Sequence, residues 1–140
     1  MNVCVIFNPE AGSADKNQAL RDQIDDLEGY ELRVTEYPGH AHEIAQEVAT
    51  KGCVEVLVAG GDGTVNEALN GLRGHFDGVT LGILPLGTGN DSARTLGMPQ
   101  DPSEALQALR KGLPSRTVDL VRIDSGDESR YLLNHINAGY

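Results

Sequence analysis

Residues 54–67 read VEVLVAGGDGTVNE, an apolar run that ends in adjacent glycines and leads into a segment with helical spacing. The nearly unbroken succession of Val, Leu and Ala predicts a strand that is buried on both faces. Glycines at 60, 61 and 63 allow the backbone to turn tightly and to approach a ligand closely. A strand, a glycine turn and a helix in this order are typical of an α/β fold.

The segments on either side of this stretch repeat the same alternation of strand and helix. The apolar, β-rich runs predict three more strands, at residues 3–7, 30–37 and 79–84. Helical spacing of apolar residues predicts helices at residues 15–27, 40–51, 64–72 and 102–111, with a short one from about 91. We therefore predict a parallel sheet with helices on both faces, formed by residues 1–114.

The pattern changes after Gly112, where no further helix is predicted. Residues 116–123 and 130–136 look like two strands joined by a polar turn at 124–129. Two strands without an intervening helix indicate an antiparallel hairpin. We assign residues 115–140 to the start of a second, antiparallel β domain.

Composition excludes several classes of function. The chain has 140 residues, with 11 Lys and Arg against 21 Asp and Glu, and a net charge of −10. Sequence-independent nucleic-acid binding needs cationic side chains, so nucleic acid is not an expected partner. No apolar run approaches the ~20 residues of a membrane span, and the N-terminus lacks the basic region of a signal peptide. Cys4 and Cys53 lie in apolar segments without metal-ligand spacing, which predicts buried reduced thiols and a cytoplasmic location.

Four segments follow the predicted parallel strands, at the edge where ligands bind in open α/β sheets. They are residues 8–13, 35–41, 60–64 and 86–91, and most are rich in small residues. The positive end of a helix and backbone N–H groups in such loops favour a phosphate. The loop at 60–64 is not a Walker A motif, since no Gly-Lys-Ser/Thr follows. It is not a dinucleotide fingerprint either, because Asn66 stands where the last glycine would be.

These loops resemble those of a known enzyme family. The sequences NPEAG at 8–12, GGDGTVNE at 60–67, NG at 70–71 and LPLGTGND at 84–91 are similar to the diacylglycerol kinase catalytic domain. The resemblance is greatest to bacterial lipid kinases of the diacylglycerol and sphingosine kinase superfamily. It covers essentially the whole chain.

The resemblance implies a site that binds ATP, with Mg²⁺ bridging its phosphates. The implied reaction is transfer of the ATP γ-phosphoryl group to a lipid hydroxyl, such as that of diacylglycerol. The residues that the resemblance assigns to the nucleotide are Asn8, Pro9, Glu10, Ala11, Gly12, Thr35, Gly61, Asp62, Gly63, Thr64, Val65, Asn66, Glu67 and Thr88.

Asp62 is the candidate catalytic residue, because it is the one carboxylate inside the glycine turn at 60–64. It could take the proton of the acceptor hydroxyl, hold Mg²⁺ through water, or cap the helix that follows it. Asp91 has the same ambiguity. The side chains of Asn66 and Glu67 could brace neighbouring loops instead of touching ATP. His40 and His42 do not share a helix face, so no set of protein metal ligands is predicted.

The resemblance implies a longer protein, because members of this family have a second, β-sandwich domain that completes the lipid site. We therefore expect these 140 residues to be a fragment or a single domain, weakly active or inactive on its own. Apolar strands around residues 132–136 would expose an edge through which a homodimer could form. Peripheral membrane contact would belong to the longer protein.

Two other functions stay open. The first is a small-molecule kinase like the NAD kinases, which share a Gly-Gly-Asp-Gly-Thr loop. The NPEAG and GTGND sequences argue against it. The second is a nucleotide-binding module without catalytic activity.

Overall fold

The computed structural model describes residues 3–87, 90–112 and 120–133. Strands and helices alternate along most of this chain, and the last two strands follow each other directly. The elements are β1 Val3–Phe7, α1 Ala14–Asp25, β2 Tyr30–Val34, α2 His40–Thr50, β3 Glu55–Gly60, α3 Asp62–Gly71, β4 Thr80–Pro85, α4 Asp91–Thr95, α5 Pro102–Arg110, β5 Leu120–Ser125 and β6 Glu128–Leu133. No helix in these ranges is both long enough and apolar enough to cross a membrane.

The first four strands form one parallel sheet in the order β2-β1-β3-β4. In the register of this sheet, Phe7 of β1 lies between Val34 of β2 and Ala59 of β3. All five residues of β1 are buried, as are residues 56–60 of β3. The apolar run at residues 54–59 therefore forms a central strand, and the predicted parallel sheet is confirmed.

Helices cover both faces of the sheet. The connection from β1 to β2 runs in one direction across the sheet, and the connection from β2 to β3 runs in the other. Because such crossovers are right-handed, α1 and α2 lie on opposite faces. Helix α5 shares the face of α1, since Gln23 Nε2 donates to Ser103 Oγ at 2.9 Å. Helix α3 packs against α2 on the other face.

The hairpin of β5 and β6 is antiparallel, as predicted. The predicted six-residue turn is wrong, because the chain reverses at Gly126 and Asp127 alone. Gly126 has a φ of +63°, a conformation that glycine adopts at little cost and that two-residue hairpin turns require. The predicted domain boundary after residue 114 and strand residues 116–119 and 134–136 lie outside the described ranges.

Strand β2 ends at Val34, three residues before the end predicted at Tyr37. Its neighbour β1 ends at Phe7, whose carbonyl accepts a last hydrogen bond from Thr35 N at 2.8 Å. Beyond that bond the strand has no ladder partner on β1. The freed segment forms a loop at the edge where the predicted site residues lie.

Both cysteines are free and buried, as predicted. Burial, followed by the nearby Cys53, raises the pKa of the Cys4 thiol from 9.0 to about 12. The folded protein therefore keeps the Cys4 proton at pH values where the unfolded chain loses it. The contribution of Cys4 to the free energy of unfolding is therefore fully present below about pH 9, and it is lost as the pH rises from there to about 12.

We expect the free energy of unfolding to fall by about 1 kcal/mol at one pH unit above the unfolded pKa of Cys4. Urea unfolding between about pH 8 and pH 10 would measure it. Cys4→Ala is the control, because it removes this titration while other alkaline groups remain. An equal slope in both proteins would contradict the assignment.

Candidate functional site

Three loops meet beyond the carboxyl ends of β1, β3 and β4. Asn8 N, which follows β1, donates to Ala59 O at 2.9 Å, and Leu86 N, which follows β4, donates to Gly60 O at 3.2 Å. Both hydrogen bonds extend the sheet ladder past the last strand residues. The loops at 8–13, 60–62 and 86–87 are therefore held side by side, as the sequence predicted.

The side chain of Asn8 joins the first loop to helix α3. Its Nδ2 donates to Thr64 Oγ1 at 2.8 Å, and its Oδ1 accepts a hydrogen bond from Glu10 N at 2.9 Å. Ala11 N also donates to the Asn8 carbonyl at 3.2 Å. Asn8 thus shapes the loop around itself and anchors it to the buried hydroxyl of Thr64.

Glycines allow the backbones of these loops to touch. Gly12 has a φ of +75°, and a Cβ built on it would lie 2.5 Å from Leu86 O. A Cβ on Gly87 would lie 3.5 Å from the Cα of Gly61. A side chain at Gly12 would therefore push the first loop away from the third, whereas a Cβ on Gly87 would make only ordinary van der Waals contact with the central loop. Gly12 thus allows a close approach of backbone to backbone.

Helix α3 starts between these loops with its amino end facing them. Gly61 is its N-cap and supplies no side-chain hydrogen bond, and the first backbone bond inside the helix joins Val65 N to Gly61 O at 3.1 Å. The N–H groups of the first turn and the helix dipole create a positive potential at this point. Val65 itself is buried in the core, so only its backbone could contact a ligand here.

Asp62 caps a helix, but not the one that was predicted. It is the first residue of α3, and its carboxylate accepts hydrogen bonds from the amino end of α4 instead. Asp91 N donates to Asp62 Oδ2 at 3.1 Å, and Ser92 N donates to Oδ1 at 2.9 Å. Asp62 thereby joins the central loop to the loop that follows β4. Asp91 forms an ion pair with Arg94 at 2.8 Å on the surface.

Glu67 braces the loop that follows β2, as one of the sequence interpretations held. Its Oε1 accepts a hydrogen bond from Gly39 N at 3.1 Å. Asn66 contacts Asn70, whose Nδ2 donates to the Asn66 carbonyl at 2.8 Å. Thr35 lies directly past the end of β2, on the same edge as the other loops. Pro9 and Glu10 are exposed, and Thr88 lies outside the described residues.

Two buried asparagines at this edge were not among the predicted site residues. Asn17 Nδ2 donates to Pro9 O at 2.9 Å, and Asn90 Nδ2 donates to Gly87 O at 2.6 Å. The side-chain oxygen of each has no hydrogen-bond partner within the described residues. Asn90 lies in the GTGND sequence, so its motif could have identified it. Asn17 carries no local signal, because its partner is defined only by the folded loop.

The far end of α3 holds the antiparallel hairpin. Asn70 Nδ2 donates to Tyr131 O at 2.9 Å, and Tyr131 N donates to Asn70 Oδ1 at 2.7 Å. Arg73 donates to Ser129 O and lies 5.2 Å from the centre of the Tyr131 ring, which also meets Phe76 edge-on. The NG sequence at 70–71 therefore joins the parallel sheet unit to β6.

A groove of about 600 Å³ lies between α3 and the hairpin, and it begins beside Gly63. Its walls carry both acidic and basic side chains, among them Glu67, Arg73, Glu128 and Arg130. The hairpin is ordered by its own contacts. Hydrogen bonds from Ser129 and Arg122 lower the pKa of Asp124 and hold its carboxylate charged.

Asn70→Ala should loosen the hairpin from α3, because it removes both hydrogen bonds between the Asn70 side chain and the backbone of Tyr131. Each such bond contributes about 0.5–1.5 kcal/mol, so we expect roughly 10-fold faster amide exchange in residues 128–133. Hydrogen–deuterium exchange would measure this change. Asn66→Ala, one turn earlier on the same helix, is the matched control. Equal exchange in both variants would contradict the anchoring role.

The chain matches the family model of the diacylglycerol kinase catalytic domain over residues 2–123. Diacylglycerol kinase from Bacillus subtilis is 34% identical over 140 residues, which covers 96% of this chain and 45% of that protein. A probable YegS-like lipid kinase from Chromohalobacter salexigens is 40% identical over 111 residues, which covers 78% of this chain and 34% of that protein. The crystal structure of a diacylglycerol kinase from Bacillus anthracis superposes with a TM-score of 0.75 at 36% identity. The superposition covers 85% of this chain and 42% of that one.

The matched region includes all the loops described above. The chain spans less than half the length of these relatives. Identity above 30% across nearly the whole chain agrees with the superposition of the folds. The chain belongs to the diacylglycerol kinase catalytic domain family.

Proposed function

We propose that this chain is the ATP-binding part of a lipid kinase. The reaction would transfer the γ-phosphoryl group of ATP to the hydroxyl of a lipid such as diacylglycerol. The observation that carries this proposal is the meeting of three glycine-containing loops at the amino end of α3. The names of the relatives support a lipid as the acceptor.

The residues at this edge fit a polyphosphate. The close approach of Gly87 to Gly61, and of Gly12 to Leu86 O, leaves a surface of backbone instead of side chains. Backbone N–H groups and the helix dipole of α3 can then bind phosphate oxygens without a basic side chain. This explains how a strongly acidic chain could bind ATP.

The site also fits Mg²⁺ that is bound mainly through the nucleotide. Within the described residues there is no group of three or more His, Cys, Asp or Glu side chains that could hold a metal by itself. Mg²⁺ usually needs only one or two carboxylates together with phosphates and water, and Asp62 would supply the carboxylate. When bound, the ion would offset charge that develops on the transferred phosphoryl group.

Asp62 is held in place by the amino end of α4. The N–H groups of Asp91 and Ser92 each donate a hydrogen bond to one of its carboxylate oxygens. These two hydrogen bonds fix the orientation of the carboxylate. Asp62 could then receive the proton of the acceptor hydroxyl or hold a water molecule of Mg²⁺. The acceptor lipid would approach through the groove beside Gly63.

Calorimetric titration of the chain with ATP, with and without Mg²⁺, tests the nucleotide site. We expect saturable binding that strengthens with Mg²⁺. Radiolabelled ATP with diacylglycerol vesicles, and in parallel with NAD, tests the reaction. Label in the lipid alone supports the lipid kinase. Label in NAD would favour the small-molecule kinase, and ATP binding without transfer by any form of the protein would favour a module without catalytic activity.

A further inference from the structure

Two aromatic rings are stacked in the loop that follows β2. The rings of Tyr37 and His40 have centroids 4.3 Å apart and planes only 12° from parallel. Tyr37 is 50% exposed, which makes it one of the few large apolar side chains at the surface of the described residues. A stacked pair with one partner open to solvent offers an aromatic face to a planar ligand.

Hydrogen bonds hold this loop and its rings in place. Glu36 N donates to His40 Nδ1 at 2.9 Å. The Glu43 side chain interacts with the Tyr37 hydroxyl and raises its pKa. The loop itself is anchored where Gly39, at a φ of +89°, donates its N–H to Glu67. The ring pair is therefore positioned before any ligand arrives, which lowers the entropic cost of binding.

The stack lies within reach of the proposed phosphate site. The loop that carries it is tied to Glu67, four residues or about 6 Å of helix rise from Gly63. On the other side it adjoins Thr35, whose N–H bonds to the last residue of β1, just before the loop at 8–13. One nucleotide could thus contact the amino end of α3 with its phosphates and this loop with its base.

The charges around the stack exclude it as a second phosphate site. Residues 35–50 contain no Lys or Arg. The negative charges of Glu43 and Glu36 help to raise the pKa of Tyr37, and the carboxylate of Glu67 accepts a hydrogen bond from Gly39 N. Acidic side chains repel phosphate, but they can accept hydrogen bonds from the amino group of an uncharged heterocycle. A nucleobase has this chemistry.

We propose that Tyr37, supported by His40, is the stacking platform for the adenine base of ATP. This inference rests on the proposed function, because it concerns the same nucleotide. Base stacking on an aromatic side chain changes affinity by about 5- to 100-fold in proteins that bind unpaired bases. Loss of the ring should therefore weaken ATP binding by a factor in that range.

The test compares ATP with inorganic tripolyphosphate, each with Mg²⁺, by calorimetry on wild type, Tyr37→Ala and Tyr37→Phe. We expect Tyr37→Ala to weaken ATP binding and to leave tripolyphosphate binding unchanged. Tyr37→Phe keeps the ring and should bind ATP within about threefold of wild type, since only the interaction of the hydroxyl with Glu43 is lost. Thermal unfolding checks that each variant folds.

The possible outcomes separate this inference from the proposed function. Unchanged ATP affinity in Tyr37→Ala would overturn the platform and leave the ATP site intact. An equal loss for ATP and tripolyphosphate would overturn it too, because it would show a general change in the site. Failure of the wild-type protein to bind ATP would overturn the proposed function, and this inference with it.

Discussion

In a catalytically active form of the protein, Asp62→Asn should lower the rate of lipid phosphorylation by at least about 100-fold. The amide cannot accept a proton at neutral pH and provides no charge for Mg²⁺. It also has one oxygen where the carboxylate has two. Its NH₂ group would face the N–H of either Asp91 or Ser92, and the loop after β4 would shift away from the central loop.

Three readouts separate the three roles considered for Asp62. A lower kcat with unchanged ATP affinity indicates the proton acceptor, and a raised Mg²⁺ requirement indicates a metal-linked role. A lower unfolding temperature with weaker ATP binding indicates the cap of α4. Asp91→Asn is the matched control, since it removes an exposed carboxylate that pairs with Arg94. Asp62→Asn activity equal to that of this control would contradict any role for Asp62 in the site.

Gly71→Ala should destabilise the fold by about 2–3 kcal/mol. A Cβ at this position would lie 2.2 Å from the carbonyl oxygen of His42 and 2.9 Å from the Cβ of Ala45. Both atoms belong to α2, so the two helices would have to separate. Alanine favours a helix over glycine by about 1 kcal/mol, and this gain is smaller than the cost of the overlap.

Gly63→Ala on the same helix is the matched control for Gly71→Ala. Apart from the neighbouring backbone of α3 itself, no atom of the described residues lies within 4 Å of a Cβ built on Gly63, so only the helix propensity remains. We expect Gly63→Ala to be neutral or to stabilise by up to about 1 kcal/mol in urea unfolding. Its effect on ATP binding is a separate measurement, because Gly63 is a predicted nucleotide contact. Stabilisation of similar size by both variants would contradict the close packing of α2 on α3.

Much of the architecture could be predicted from local patterns. Unbroken apolar runs mark the buried parallel strands, and the spacing of apolar residues marks the helices. A sheet of parallel strands brings the loops after β1, β3 and β4 to one edge, so the three glycine loops could be grouped from the order of the strands alone. The hairpin could be predicted as well, but its turn is shorter because Gly126 adopts a positive φ.

The roles of individual side chains were harder to predict. Asp62 lies next to a helix start, which favours capping of that helix, whereas it binds amides 29 and 30 residues further along the chain. Asn70 is only part of a motif in the sequence, and the fold places it against Tyr131, 61 residues away. Such partners leave no periodic signal in the sequence, because their contacts depend on how complete elements pack.

The sequence by itself therefore determined the fold class, the edge at which the proposed ligand site lies and the family. Periodicity, glycine placement and long motifs are local properties, so they can be read from the sequence without knowing how the elements pack. Only the tertiary structure decided which helix Asp62 caps, how α3 joins the glycine loop at 60–62 to the hairpin, and that Tyr37 stacks on His40. Those features arise from distances between elements, which are set by the packing of α2 and α3 on the sheet.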